Sequence, residues 1–401
     1  VSSTAVVRSL ARDRPTWLIY FQLATFATYL YGLSAALPLL RIDQGVSQAV
    51  AGLHGTAMAV GGIIAGLFMP RVIAKVGRRR ATWLGLATMT CGVLLVAATT
   101  ALPVTLLGFG VASGGGSIAL YIGMSVLSDH HGAAGPAAIN EANAVAVTIG
   151  MGVSYLISAL APTPLGWRAG ILVTPVATFL LLVLMGRVWV PSAAPSRGPD
   201  TLSPTPVPAK SRYDWRFHAA CGVLFCLVAM EFLFNVWAAE LLADQTGMSP
   251  ATAATGLTAF TIGIAAGRFA AGRLALRVDP TRLLSGALLV TLAGWTVFWL
   301  GDRPLFCYAG LVLSGLGVAV QFPLGLSRVI ASSGGRPDEA SAAASIWASV
   351  AVGAGPFLLG ALADGFGTHT AFLMVPVLIA CAIAGIALSA RQAGESRPPA
   401  M

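Results

Sequence analysis

Twelve apolar stretches, each long enough to cross a bilayer, fill this 401-residue chain and fall into two sets of six around a Pro- and Ser-rich segment at Val190–Asp214. A bilayer core is about 30 Å thick, and a spanning helix needs roughly 20 mainly apolar residues. Lipid offers no partner for an unpaired backbone group, so stretches of this length must be helices. With 56% hydrophobic and 10% charged residues, a soluble fold is excluded. The expected fold is an all-α integral membrane protein with twelve transmembrane helices in two six-helix pseudo-symmetric bundles. These bundles are residues 17–190 and 215–390, with tails at 1–16 and 391–401 and a linker at 191–214.

Basic residues set the expected orientation, because short cytoplasmic loops are enriched in Lys and Arg. With the N-terminus inside, the inner segments hold 21 of the 24 basic residues and leave only Arg41, Arg168 and Arg303 outside. Arg268 is counted in this tally with Arg273, Arg277 and Arg282 as the cytoplasmic cations around the end of the eighth span, Pro250–Leu274. An even number of crossings returns both termini and the linker to the cytoplasm. The net charge of +9 is explained by this topology and by attraction to anionic lipid, so no nucleic-acid partner is expected.

Cys91, Cys221, Cys226, Cys307 and Cys381 all lie in apolar spans without a CxxC pair, which suits small packing residues. The first apolar run is too long for a cleavable signal peptide and reads as a permanent span. Arg-rich, Lys-poor usage with abundant Ala and Gly suits a GC-rich bacterial genome, and hence the bacterial inner membrane. The five scattered His residues give no metal site, and no cofactor is expected.

The loops after the second and eighth spans match each other in position. Pro70–Arg80 reads PRVIAKVGRRR and Gly272–Arg282 reads GRLALRVDPTR. Both resemble the Gly-x-x-x-Asp-Arg-x-Gly-Arg-Arg loop of the major facilitator superfamily: Gly77, Arg78 and Arg79 match its end, and Gly272 and Arg277 its start and middle. Ala74 and Leu276 stand where that family usually has Asp. Gly166–Trp167–Arg168 and the eleventh-span Gly353–Ala354–Gly355–Pro356 extend the resemblance over essentially the whole chain. The run Glu231–Phe232–Leu233–Phe234–Asn235–Val236–Trp237 is similar to fucose-permease-type members, while acids expected of that group are missing from spans one and four. The resemblance implies alternating access, with a solute site between two rocking halves, spans one, four, seven and ten lining it, and the paired loops forming a gate.

Glu231 is the most informative side chain, since an ionisable group deep in a spanning helix is costly and marks a functional site by default. A changing environment during transport could load and release a proton there, or the carboxylate could bind a cation. Asn235 lies one turn further on the same face. Gln22, Thr25 and Tyr29 share a face of span one, and Ser113, Ser117 and Tyr121 lie on span four. On span ten, Pro304–Val329, Gln321 precedes a helix-loosening Pro323 and shares a face with Ser314 and Arg328. Trp347 on span eleven could stack on a ring. His54 reads as a packed, neutral histidine, and Asn140, Glu141, Asn143, Asp129, His130 and His131 as interfacial capping or gate contacts.

No nucleophile with a base, metal cluster or phosphate loop is present, so neither an enzyme nor an ATP-driven pump is expected. The loops are too short for the folded module of a receptor or scaffold. A secondary transporter remains, working as a monomer on a small organic solute, with a proton as the expected coupling ion. Multidrug-type proton antiport and proton-independent facilitation stay open. No basic residue is assigned deep in a span, which points to a neutral or cationic solute.

Overall fold

A computed structural model of the chain describes residues 10–190, 213–253 and 255–395. Most of the expected linker, at 191–212, and the outer parts of both tails, at 1–9 and 396–401, lie outside the described residues.

All regular structure among the described residues is helical. The first half contains α1 (Arg14–Gln44), α2 (Gln48–Ala98), α3 (Leu102–His131), α4 (Gly135–Leu160), α5 (Gly166–Ile171) and α6 (Val173–Met185). The second half contains α7 (Trp215–Thr246), α8 (Pro250–Ala253), α9 (Thr255–Arg277), α10 (Pro280–Leu300) and α11 (Pro304–Val318). It continues with α12 (Gln321–Ala331), α13 (Pro337–Phe366), α14 (Thr368–Ala371) and α15 (Met374–Glu395).

Local chemistry sets the ends of these helices. The Asp13 carboxylate caps α1 by accepting from the Thr16 N–H, and Gly45 closes the helix in the left-handed region at φ 64°. Ser47 caps α2 through Val50 N–H, and Asp279 caps α10 through the N–H groups of Thr281 and Arg282.

Ten helical stretches among the described residues are long and apolar enough to cross a membrane. Val50–Ala98 and Leu102–Leu160 hold 49 and 59 residues, about 74 and 88 Å of helix, each far more than one crossing needs. Both are interrupted. The first breaks at Gly77, whose φ of 78° and ψ of 161° are open essentially to glycine alone. The second breaks at the short turn Gly132–Ala134.

Large apolar side chains turn outward as well as inward. Leu180, Leu182, Val183 and Leu184 on α6 and Phe357 and Leu358 on α13 are exposed, which lipid tolerates and water would not. The halves meet where α2 packs on α13 and where α4 packs on α9. In the first contact the Ser345 hydroxyl donates to the Gly62 carbonyl at 3.0 Å. Gly66 allows the close approach, because a Cβ there would lie 2.7 Å from the Ala342 oxygen.

Candidate functional site

The second contact between the halves carries the chemistry. Glu231 stands midway along α7, and Arg268 of α9 places Nη2 3.9 Å from its Oε1. Only 7% of the Arg268 side chain is exposed, against 17% for Glu231. The separation is too long for a hydrogen bond, so the pair is held by charge alone. A buried ion pair without direct hydrogen bonding recovers little of its desolvation cost.

Arg268 finds other partners in both halves. Its Nε donates to the Ala319 carbonyl at 3.3 Å, and its Nη1 to the Asn143 carbonyl of α4 at 3.5 Å. The Tyr31 hydroxyl of α1 also faces the guanidinium. Ala319 can accept because the donor due to its carbonyl, four residues on, is Pro323, which has no N–H. The tenth expected span is accordingly split into α11 and α12 at Ala319–Val320. Sequence thus frees a carbonyl in the membrane interior, and a buried cation satisfies it.

This geometry corrects the assignment of Arg268 to the cytoplasmic cations. The residue lies within α9, nine positions before its final residue Arg277, and is buried. The ground for preferring a neutral or cationic solute, an interior without a base, falls with it.

At the Gly77 end of the molecule the halves are tied by charge. Arg78 donates from Nε to Asp338 Oδ1 at 2.7 Å across the halves and from Nη1 to Asp129 Oδ2 at 2.7 Å within its own. Ser125 adds a longer hydrogen bond to Asp338 at 3.4 Å. Asp338 opens α13, where the exposed N–H groups of the helix also favour its charge. It supplies at this end of the molecule an acid that Ala74 does not. At the opposite end the polar side-chain contacts among the described residues stay within one half: Arg168 and Trp167 hold Asp43, and Trp299 and His369 hold each other through their backbone carbonyls. The protein is therefore closed at the Gly77 end.

The sequence profile of the Major Facilitator Superfamily matches residues 16–220 and 220–400. The chain belongs to the major facilitator superfamily. It is a multi-pass membrane protein with that superfamily's fold. Among curated relatives, the transporter y4wD of Sinorhizobium fredii is 30% identical over 144 residues, 36% of this chain and 38% of that protein. The glucose transporter GlcP of Staphylococcus epidermidis is 26% identical over 187 residues, 44% of this chain and 40% of that protein. The matches therefore span about two fifths of the curated relatives. The superfamily transporter FucP, solved in the outward conformation, superposes with a TM-score of 0.79 over 94% of this chain and 98% of its own, at 17% identity. At that identity the likeness speaks for the fold.

The other residues singled out in this superfamily member are distributed unevenly around the site. Asn235 donates from Nδ2 to the Glu231 carbonyl at 2.9 Å, joining it to the charged pair through the backbone of α7. Gln22 is buried and donates to the Ala119 carbonyl of α3 at 2.6 Å, while the Thr25 hydroxyl turns back to the Phe21 carbonyl. Tyr29 is buried edge-on against Phe26, and Ser117 is buried where α3 faces Gly62. Tyr121 meets Phe322 of α12 edge-on, with ring centroids 6.3 Å apart, and so crosses the halves. Gln321 points into its own half, donating to Thr291 Oγ1 at 2.7 Å, while its Oε1 is buried without a partner among the described residues. Trp347 is 38% exposed and lies edge-on to Phe225.

The residues of the two paired loops also separate. Arg79 donates to the Gly186 carbonyl at 2.6 Å within its own half, whereas Arg78 makes the crossing. Gly272 lies inside α9 with open space beside it, and Arg277 ends that helix. His54 is satisfied on both nitrogens, by the Ala51 carbonyl and Thr105 Oγ1, as a packed histidine should be. His130 contacts Asp13 and Arg12 pairs with Glu141, which makes this group a clasp on the start of α1.

Arg268, Tyr31 and Asp338 escaped the sequence reading. A signal for Arg268 existed: it sits in the apolar run Ile262–Ala271, too far from Arg277 to share its helix end.

Proposed function

We propose that this transporter carries a small organic solute by alternating access, coupled to a proton through Glu231. The interrupted stretches Val50–Ala98 and Leu102–Leu160 each count as two crossings in this reading, which gives twelve in two bundles, 17–190 and 215–390. The segment 191–214 then joins the bundles in the cytoplasm of a bacterial cell, with both termini on the same side of the inner membrane. The protein works as a monomer.

One observation carries the coupling: the carboxylate of Glu231 faces Arg268 at a point where both halves contribute partners. A titratable acid beside a fixed cation at a moving interface has two electrostatic environments available to it. Closure at the Gly77 end is the arrangement expected of an outward-facing state, and FucP, described as a fucose:proton symporter, adds support for a coupled proton.

Proteoliposomes containing the full chain provide the test. Sugars and organic acids are presented in turn while external pH is followed. A solute that draws protons inward with the wild type should fail to do so with Glu231→Gln, which keeps the shape of the side chain and loses its titration. Proton uptake of unchanged rate in Glu231→Gln would remove Glu231 from the coupling step.

A further inference from the structure

We infer that Arg268 is the binding partner of an anionic group on the solute, a carboxylate, and that Glu231 and this carboxylate occupy the guanidinium in turn. The inference rests on the proposed proton coupling at Glu231 and names the solute class that such coupling would serve.

The geometry carries the argument. Arg268 is nearly fully buried, yet no carboxylate makes a close hydrogen bond to it: it donates to two carbonyls at 3.3 and 3.5 Å, faces the neutral Tyr31 hydroxyl, and has its one carboxylate partner among the described residues at 3.9 Å. Guanidinium groups normally bind carboxylates as a fork, with short bidentate contacts. Elsewhere the protein makes such a contact, since Arg12, ahead of α1, reaches both oxygens of Glu141 at 2.7 and 3.1 Å. Glu231 is instead near enough to balance the charge of Arg268 and too far to fill its donor fork. Its side chain is also the more exposed of the two, 17% against 7%.

The titratable side chains facing Glu231 are Arg268 of α9 and Tyr31 of α1. The neighbouring groups from the other elements at this point are neutral: Asn143 of α4, Asn235 of α7 and the Ala319 carbonyl between α11 and α12. When Glu231 takes a proton on a carboxylate oxygen, Arg268 is left as an uncompensated buried cation, which is strongly unfavourable. A carboxylate from the solute restores the balance. Proton and monoanion therefore enter together and leave together, and loss of the proton returns Glu231 to Arg268 as the solute departs. A neutral sugar cannot complete this exchange of charge.

Calorimetric titration of the full chain in lipid nanodiscs tests the inference. The probes are lactate, D-glucuronate and benzoate, each beside a neutral counterpart: 1,2-propanediol, D-glucose and benzyl alcohol. At least one carboxylate should bind, about tenfold or more tighter at about pH 5.5 than at about pH 7.5, with its neutral counterpart weaker by a similar factor at both. Glu231→Gln should hold the tighter affinity at both pH values. Arg268→Gln should lose about tenfold or more, and Arg268→Lys, which keeps the charge without the fork, should retain part of the binding. Thermal melts of each variant establish that it is folded.

Binding of no carboxylate by the wild type, or carboxylate binding untouched in a folded Arg268→Gln, overturns the inference. Proton uptake driven by D-glucose and lost in Glu231→Gln would overturn the carboxylate while leaving the proton coupling intact. Carboxylate binding that depends on Arg268 but is indifferent to pH and to Glu231→Gln would instead remove the coupling, and with it the alternation of partners.

Discussion

Arg78 and Asp338 stand 260 positions apart in the chain and meet at 2.7 Å, Nε to Oδ1, so that the joint inside α2 is pinned to the first turn of α13. The two side chains are each 28% exposed and share the site with Asp129. One contact thus reports on whether the halves are together at the Gly77 end.

Removing that contact should favour the state in which this end opens. Partly exposed ion pairs are worth about 0 to 1 kcal/mol, so Asp338→Asn should raise the open population by up to about fivefold. Spin labels on Lys75 and Arg282, both exposed and in different halves, would read the change as a longer-distance population in a cysteine-free background. Arg79→Gln should leave the same distribution unchanged, because Arg79 bonds within its own half. Equal effects from the two substitutions would mean that general charge, rather than the crossing contact, sets the equilibrium.

Close packing between the halves makes a second, independent prediction. A Cβ on Gly66 would lie 2.7 Å from the Ala342 oxygen, nearer than side chains approach backbone in folded proteins. Gly66→Ala should therefore push α2 from α13, at an overpacking cost of about 1 to 3 kcal/mol, and slow transport. The check is the transport rate of the variant together with the same label distances. A wild-type rate with wild-type distances would show that the interface yields without cost.

Acid should loosen the start of α1. Burial pushes the Asp13 carboxyl up, but hydrogen bonds from the Thr16 hydroxyl and N–H, and the contact with His130, outweigh it and hold the group below its usual range. A carboxyl lowered by folding adds stability above its unfolded value, about 3.9, and loses it as pH falls through the folded value. Asp13→Asn keeps a capping oxygen and should flatten the acid limb of a melting-temperature profile below about pH 4. Asp13→Ala should in addition lower stability at neutral pH by about 1 kcal/mol. An acid limb of unchanged slope in Asp13→Asn would place the sensitivity elsewhere.

The apolar runs were legible as helices because hydropathy in a membrane protein is nearly one-dimensional. Each apolar run has to close its own backbone hydrogen bonds, and the expected Trp215–Ala243 lies within the observed Trp215–Thr246. Glu231 was legible for the same reason, as a charge in the wrong solvent. Arg268 was not, because counting bases by their nearest loop treats every Arg near a helix end alike, while its burial depends on Asn143 and Ala319 arriving from elsewhere in the chain. Gln321 was read by its spacing from Ser314, and the break at Ala319–Val320 between them turned it toward Thr291. Asp338 stands in a first turn, where an acid draws no notice. Only the fold brings Arg78 to it.

With Glu231 ionised, its pair with Arg268 carries no net charge. Moving one elementary charge across a membrane is worth about 2.3 kcal/mol per 100 mV, so a lone arginine at this depth would tie the return of the unloaded carrier to the voltage across the cell membrane. The neighbouring carboxylate removes that tie. In the proposed cycle, voltage alone would leave the reset unchanged, and the direction of net flow would be left to the concentrations of proton and solute on the two sides.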